Sequence, residues 1–63
     1  MSISVKSVRV KHLMSQYELA KAIGVNPSAV SQWESGKTHP RFDKIRKMID
    51  LFGCTAEDLM RED

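Results

Sequence analysis

Residues 15–36 read "SQYELAKAIGVNPSAVSQWESG", and the fold turns on how this stretch is punctuated. Ser15 followed by Glu18 is a capping box, in which the hydroxyl accepts a backbone N–H and the carboxylate reaches back. Leu19, Ala20 and Ile23 follow at helical spacing, and Gly24 supplies the left-handed residue that ends a helix. Asn26-Pro27 then starts a second helix. Asn suits the N-cap, Pro suits the first helical position, and a residue before proline prefers extended geometry. Only Val25 stands between the stop and the new start, so two helices of about eight residues meet in a tight turn.

Wound at about 100° per residue from Pro27, the second helix divides cleanly. Ala29, Val30 and Trp33 share an apolar arc, while Pro27, Ser28, Ser31, Gln32 and Ser35 share the opposite one. That outer arc holds no lysine, arginine or leucine, an odd surface for a chain of net charge +2.

Working outward, Gly36 ends the second helix and "KTHP" is a loop. Phe42, Ile45, Met48, Ile49 and Phe52 form the stripe of an amphipathic helix closed by Gly53. Thr55, with Asp58 three residues on, opens a last short helix, "AEDLM". The N-terminal "ISVKSVRV" is β-branched and partly alternating, which favours a strand on propensity. As a helix it places Val5, Val8, Arg9 and His12 on one face and Val10 outside. Helix is preferred over 3–13, because a lone strand in an otherwise α-helical chain has no partner.

Totals bound the rest. Sixty-three residues make a single domain over 1–63, near the lower size for folding without a staple. Cys54 alone closes no internal disulfide, and with His12 and His39 it has no metal-ligand spacing. No cofactor, metal or small-molecule ligand is expected. No apolar run approaches the roughly 18 residues of a membrane span, and the N-terminus lacks a signal-peptide core. A cytoplasmic protein is expected, where a free thiol is ordinary. Residues 1–41 carry six Lys/Arg against two Glu, whereas residues 42–63 carry four basic and six acidic side chains. A basic portion joined to an acidic end fits a polyanion partner on one side, with a solvated mixed surface as the alternative. The histidines belong to no catalytic arrangement and no phosphate-cradling loop exists, so no enzyme is expected. Cys54 reads as a packed thiol, and the scattered methionines as fillers of core gaps.

Residues 16–33 meet the needs of two steeply crossing helices. Leu19, Ile23, Val25, Val30 and Trp33 supply the apolar contacts, Ala20 the small crossing residue, and Gly24 the positive φ of the turn. The pieces "SQ-x-x-LA-x-x-x-GV", "VSQWE-x-G", Pro40 seven residues after Trp33, and "FG-x-T-x-x-DL" together resemble the lambdoid repressor/Cro-like helix-turn-helix group, the XRE family. The likeness runs over about four-fifths of the chain. Its departures are a valine-rich first helix, and Arg46 and Cys54 at positions where such proteins often carry aliphatics.

The resemblance implies an all-α, compact five-helix lambda-repressor-like domain, with the helix-turn-helix at about 16–35 and its third helix in the major groove of double-stranded DNA. Gln32 can then make a bidentate contact to adenine, Ser28 and Ser31 can donate or accept, and Pro27 offers apolar contact. A solvated polar helix face is the alternative. Affinity must come from elsewhere: from Ser15, Gln16 and Asn26 at helix starts, and from Lys37, Thr38, His39 and Arg41 in the following loop. Lys6, Lys11 and Lys21 are set aside as ordinary solvated lysines. Arg9 matches the arginine that pairs with Glu34 in similar proteins, which implies a structural ion pair tying the first helix to the third, against unpaired surface charges.

The expected function is a sequence-specific transcriptional regulator, a Cro-like or small repressor that binds a pseudo-palindromic operator as a homodimer. A separate dimerisation or ligand-sensing domain is not expected in so short a chain. Leu51, Ala56, Leu59 and Met60, in the acidic end, are the expected dimer contact. The alternative is the antitoxin of a toxin–antitoxin pair, acting through protein–protein contact.

Overall fold

The computed structural model describes residues 4–60. Five helices follow in order: α1 Val5–Lys11, α2 Gln16–Ile23, α3 Pro27–Ser35, α4 Phe42–Phe52 and α5 Ala56–Met60. Among the described residues there is no strand, and the helix-turn-helix occupies α2 and α3. Ile3, at the edge of the expected first helix, lies outside the described residues, as do 1–2 and 61–63.

Each boundary has a local cause. Both halves of the α2 capping box form: the Glu18 amide donates to Ser15 Oγ at 3.0 Å and the Ser15 amide to Glu18 Oε1 at 2.8 Å. Gly24 closes the helix at φ 77°, and the Val25 amide turns back to the Ala20 carbonyl at 2.9 Å. Asn26 stands extended at the N-cap of α3, with Pro27 at N1. Thr55 and Asp58 cap α5 reciprocally at 3.1 and 3.2 Å.

The valine-rich start is helical despite its β propensity. Val5 and Val8 enter the core while Val10 faces solvent, so burial of one face decides the matter rather than intrinsic preference. The His12 ring covers the end of α1. Its Nδ1 lies 2.9 Å from the Val8 carbonyl, and its centroid lies 4.7 Å from that of Phe52. Leu13 then takes the left-handed conformation at φ 58°, letting the Met14 amide reach the Arg9 carbonyl at 3.2 Å. That turn usually recruits glycine, and Leu13 is 91% exposed, so no burial compensates the cost.

Leu19, Val30 and Met48 are the largest fully buried side chains, one each from α2, α3 and α4. Ile23, Ile45, Phe52 and Leu59 complete the centre, with Trp33, Val25 and Ile49 packed half-buried against it. Two expectations need correction. Phe42 shares the angular position of the α4 stripe but is 73% exposed: it is the first residue of α4, and burial begins one turn on, at Ile45. Leu59 is only 4% exposed. Short as α5 is, it buries that side chain in the core, which removes Leu59 from the expected dimer contact.

Candidate nucleic-acid interface

The outer arc of α3 is an open surface. Pro27, Ser28, Ser31, Gln32 and Ser35 are all exposed, opposite buried Val30 and half-buried Trp33. Ser35 Oγ donates to the Gln32 carbonyl at 3.1 Å, and the Lys37 amide reaches the same oxygen at 3.0 Å. The side chains of Ser28, Ser31 and Gln32 make no hydrogen bond with the described residues. Their donors and acceptors are available to a partner, and a glutamine amide presents both on one plane, as an adenine edge requires.

Around this arc lie groups suited to anions. The first two amides of α2, on Gln16 and Tyr17, have no helical carbonyl to bond, and aligned peptides give that end partial positive charge. Asn26 makes no side-chain cap bond, so its amide group is open at the start of α3. Lys37, Thr38, His39 and Arg41 are exposed in the loop that follows. Among the described residues, neither Lys37 nor Arg41 has a carboxylate within salt-bridge distance. Arg41 is the N-cap residue of α4, again without a side-chain cap bond.

Behind the arc, the structure brings Arg9 and Glu34 together. Arg9 Nε donates to Glu34 Oε2 at 2.7 Å and Nη2 to Oε1 at 3.1 Å, a forked pair whose side chains are 11% and 5% exposed. The hydrogen bonds it donates to Glu34 hold the Arg9 guanidinium above its usual range, against an opposing effect of burial. The remaining Nη1 donates to the Met14 carbonyl at 2.7 Å.

Gln16, expected at a phosphate through the start of α2, also has a partner within the fold: its side-chain amide donates to Glu34 Oε1 at 3.0 Å. A largely buried carboxylate accepts several hydrogen bonds, and the arginine fork leaves capacity on Oε1. That spare capacity is the signal that could have pointed to a third partner. Spacing could not, since Gln16 and Glu34 are 18 residues apart on different helices. The Met14 carbonyl was equally hidden, because a backbone acceptor carries no residue-type signature.

Two short helices crossing at a glycine turn, with a polar exposed second helix and a basic loop beyond it, define a helix-turn-helix domain of the DNA-binding class. The helix-turn-helix family model matches residues 5–59, and the chain belongs to that family, in its XRE branch. It is 29% identical to the HTH-type transcriptional activator BcrR of Enterococcus faecalis, over 87% of this chain and 27% of that protein. It is 39% identical to the 26 kDa repressor protein of Escherichia phage HK022, over 65% of this chain and 17% of the repressor. An uncharacterized HTH-type transcriptional regulator of Archaeoglobus fulgidus is 34% identical over 94% of this chain and 84% of its own length. The chain thus spans about a quarter or less of the first two relatives, and most of the third. No solved structure matches it. Among the described residues no helix is long and apolar enough to cross a membrane.

Proposed function

We propose that this chain is a sequence-specific repressor of transcription, of the Cro-like or small-repressor kind, acting in the cytoplasm as a homodimer on a pseudo-palindromic operator. The observation that carries this reading is the outer arc of α3. Ser28, Ser31 and Gln32 on that arc are exposed and make no side-chain hydrogen bond with the described residues, on a helix anchored in the core and followed by Lys37 and Arg41, which have no ion-pair partner among those residues. α3 lies in the major groove, Gln32 reads a base edge, and Ser28, Ser31 and Pro27 contact neighbouring bases. The backbone is held by Ser15, the Gln16 main-chain amide, Asn26, Lys37, Thr38, His39 and Arg41. Phage HK022 supplies a relative named as a repressor, which supports repression as the outcome.

One recognition helix reads only a few base pairs, so two related by a two-fold axis, about 34 Å apart on one face of the duplex, double the information. Exposed Leu51 and Met60, with half-buried Ala56, form the surface for that contact once Leu59 is removed from it. The dimer is weak in solution and strengthened by DNA. Selection from a pool of random duplexes tests the proposal. It should yield an inverted repeat bound by two chains. Recovery of no consensus would refute sequence reading, and one chain per full site would refute the dimer.

A further inference from the structure

The hydrogen bond from Gln16 to Glu34 closes the helix-turn-helix at the end its turn leaves open. Gly24 and Val25 join the end of α2 to the start of α3. Gln16 is the first residue of α2, and Glu34 is one from the end of α3. The same Glu34 is forked by Arg9 of α1, whose third nitrogen holds the Met14 carbonyl just before α2 begins. Arg9 of α1 and Gln16 of α2 therefore both bond the Glu34 carboxylate of α3, and Arg9 links it on to the Met14 carbonyl in the α1–α2 turn.

We infer that Gln16 is a positioning residue. Its side chain acts through Glu34, setting the start of α2 against the recognition helix, and does not itself touch DNA. This inference rests on the DNA-reading function proposed above. A site read by several side chains at once must be held to a fraction of an ångström, so the supporting shell governs discrimination as well as the contacting residues. Two surfaces need a fixed separation here: the open amides at the start of α2, and the outer arc of α3. The Gly24–Val25 hinge alone fixes one end of that pair. With Gln16 bonded to Glu34, the second end is fixed too, and a neutral donor does this without placing another charge beside the buried pair.

The alternative is a direct phosphate contact by the second Nε2 proton, the one not donated to Glu34. Binding to the selected consensus duplex and to a random duplex, at one salt concentration, separates the two. Gln16→Met in the native chain should weaken consensus binding about tenfold, as for a hydrogen bond to a charged group, and random binding less. In the Arg9→Met/Glu34→Met background, where the acceptor is gone, Gln16→Met should cost nothing further. An equal loss in both backgrounds would overturn the inference in favour of direct contact. Unchanged consensus binding in the native background would overturn it outright. NMR of the native chain gives an independent reading should the apolar background not fold. The Gln16 Nε2 protons should be protected from exchange without DNA and keep their shifts when the consensus duplex is added. Protection that arises only with DNA would contradict the positioning role. Failure to select any consensus duplex would instead sink the DNA-reading function, an outcome separate from these.

Discussion

Two glutamines occupy the two helices of the same motif, and the structure treats them oppositely. Gln16, at the start of α2, is half-buried and donates to Glu34 at 3.0 Å. Gln32, near the end of α3, is exposed and makes no side-chain bond with the described residues. The side chains are chemically identical, so the difference lies in what surrounds them. Beside Gln16 stands a carboxylate that is 5% exposed and must be met by donors; Gln32 lies exposed on an arc with Ser28, Ser31 and Ser35. A donor engaged within the fold ties two helices together, while an unengaged one is available to the DNA contact proposed above. The contrast extends to the cations: Arg9 is locked in a forked pair, whereas Lys37 and Arg41 have no partner among the described residues.

The strongest way to break this division is to attack the engaged side. Arg9→Met or Glu34→Met alone leaves an unpaired charge in a largely buried site. Each should lower stability to urea by about 3–5 kcal/mol, a large part of what so small a domain has. The double substitution should recover most of that loss, because an apolar pair of similar volume needs no partner. If each single variant unfolds at the midpoint of the native chain, the pair contributes nothing and the account of the engaged side fails.

A smaller change sharpens the comparison by altering the turn between Arg9 and Gln16 without touching the network. Leu13→Gly removes the left-handed cost of about 1–2 kcal/mol, offset in part by about 0.4–1 kcal/mol of added freedom in the unfolded chain. Thermal denaturation should show a gain of about 0.5–1 kcal/mol, with consensus-duplex affinity unchanged. A loss of stability would mean that the exposed leucine packs against something after all.

The smallest effect concerns acid. Glu18 accepts the Ser15 amide, and its carboxyl is held below its ordinary value of 4.5 by hydrogen bonds from the Ser15 backbone and side chain. A depressed folded value means that the stability it contributes is present above pH 4.5 and is lost as pH falls through the lower folded value. Glu18→Gln keeps the shape of the capping box but does not titrate, so it should flatten the stability curve over that interval. An unchanged slope would show that the cap carries no proton linkage.

The motif at 16–35 was legible because its signals are local: a capping box, a glycine stop and an Asn-Pro start each act within four residues. The outer arc of α3 was legible for a similar reason, since helical periodicity determines which side chains share a face. Periodicity sets the angle around a helix, however, and not how far along it the neighbours extend. That is why Phe42 matched the α4 stripe yet lies outside the core, and why Leu59 was assigned to a surface when α5 buries it. The Arg9–Glu34 pair came from family resemblance rather than spacing, and its further partners Gln16 and Met14 came from neither. They depend on how three helices converge, which no single helix encodes.

The division between engaged and unengaged donors is tested most directly by measuring Gln32→Ala and Lys37→Ala on the consensus and random duplexes across a salt series. Gln32→Ala should lose about 1–3 kcal/mol on the consensus, little on random DNA, and relax preference at one base pair. Lys37→Ala should weaken both duplexes alike and reduce the salt slope by about one. Equal losses on both duplexes for Gln32→Ala would contradict the account, because the exposed glutamine would then not be reading sequence.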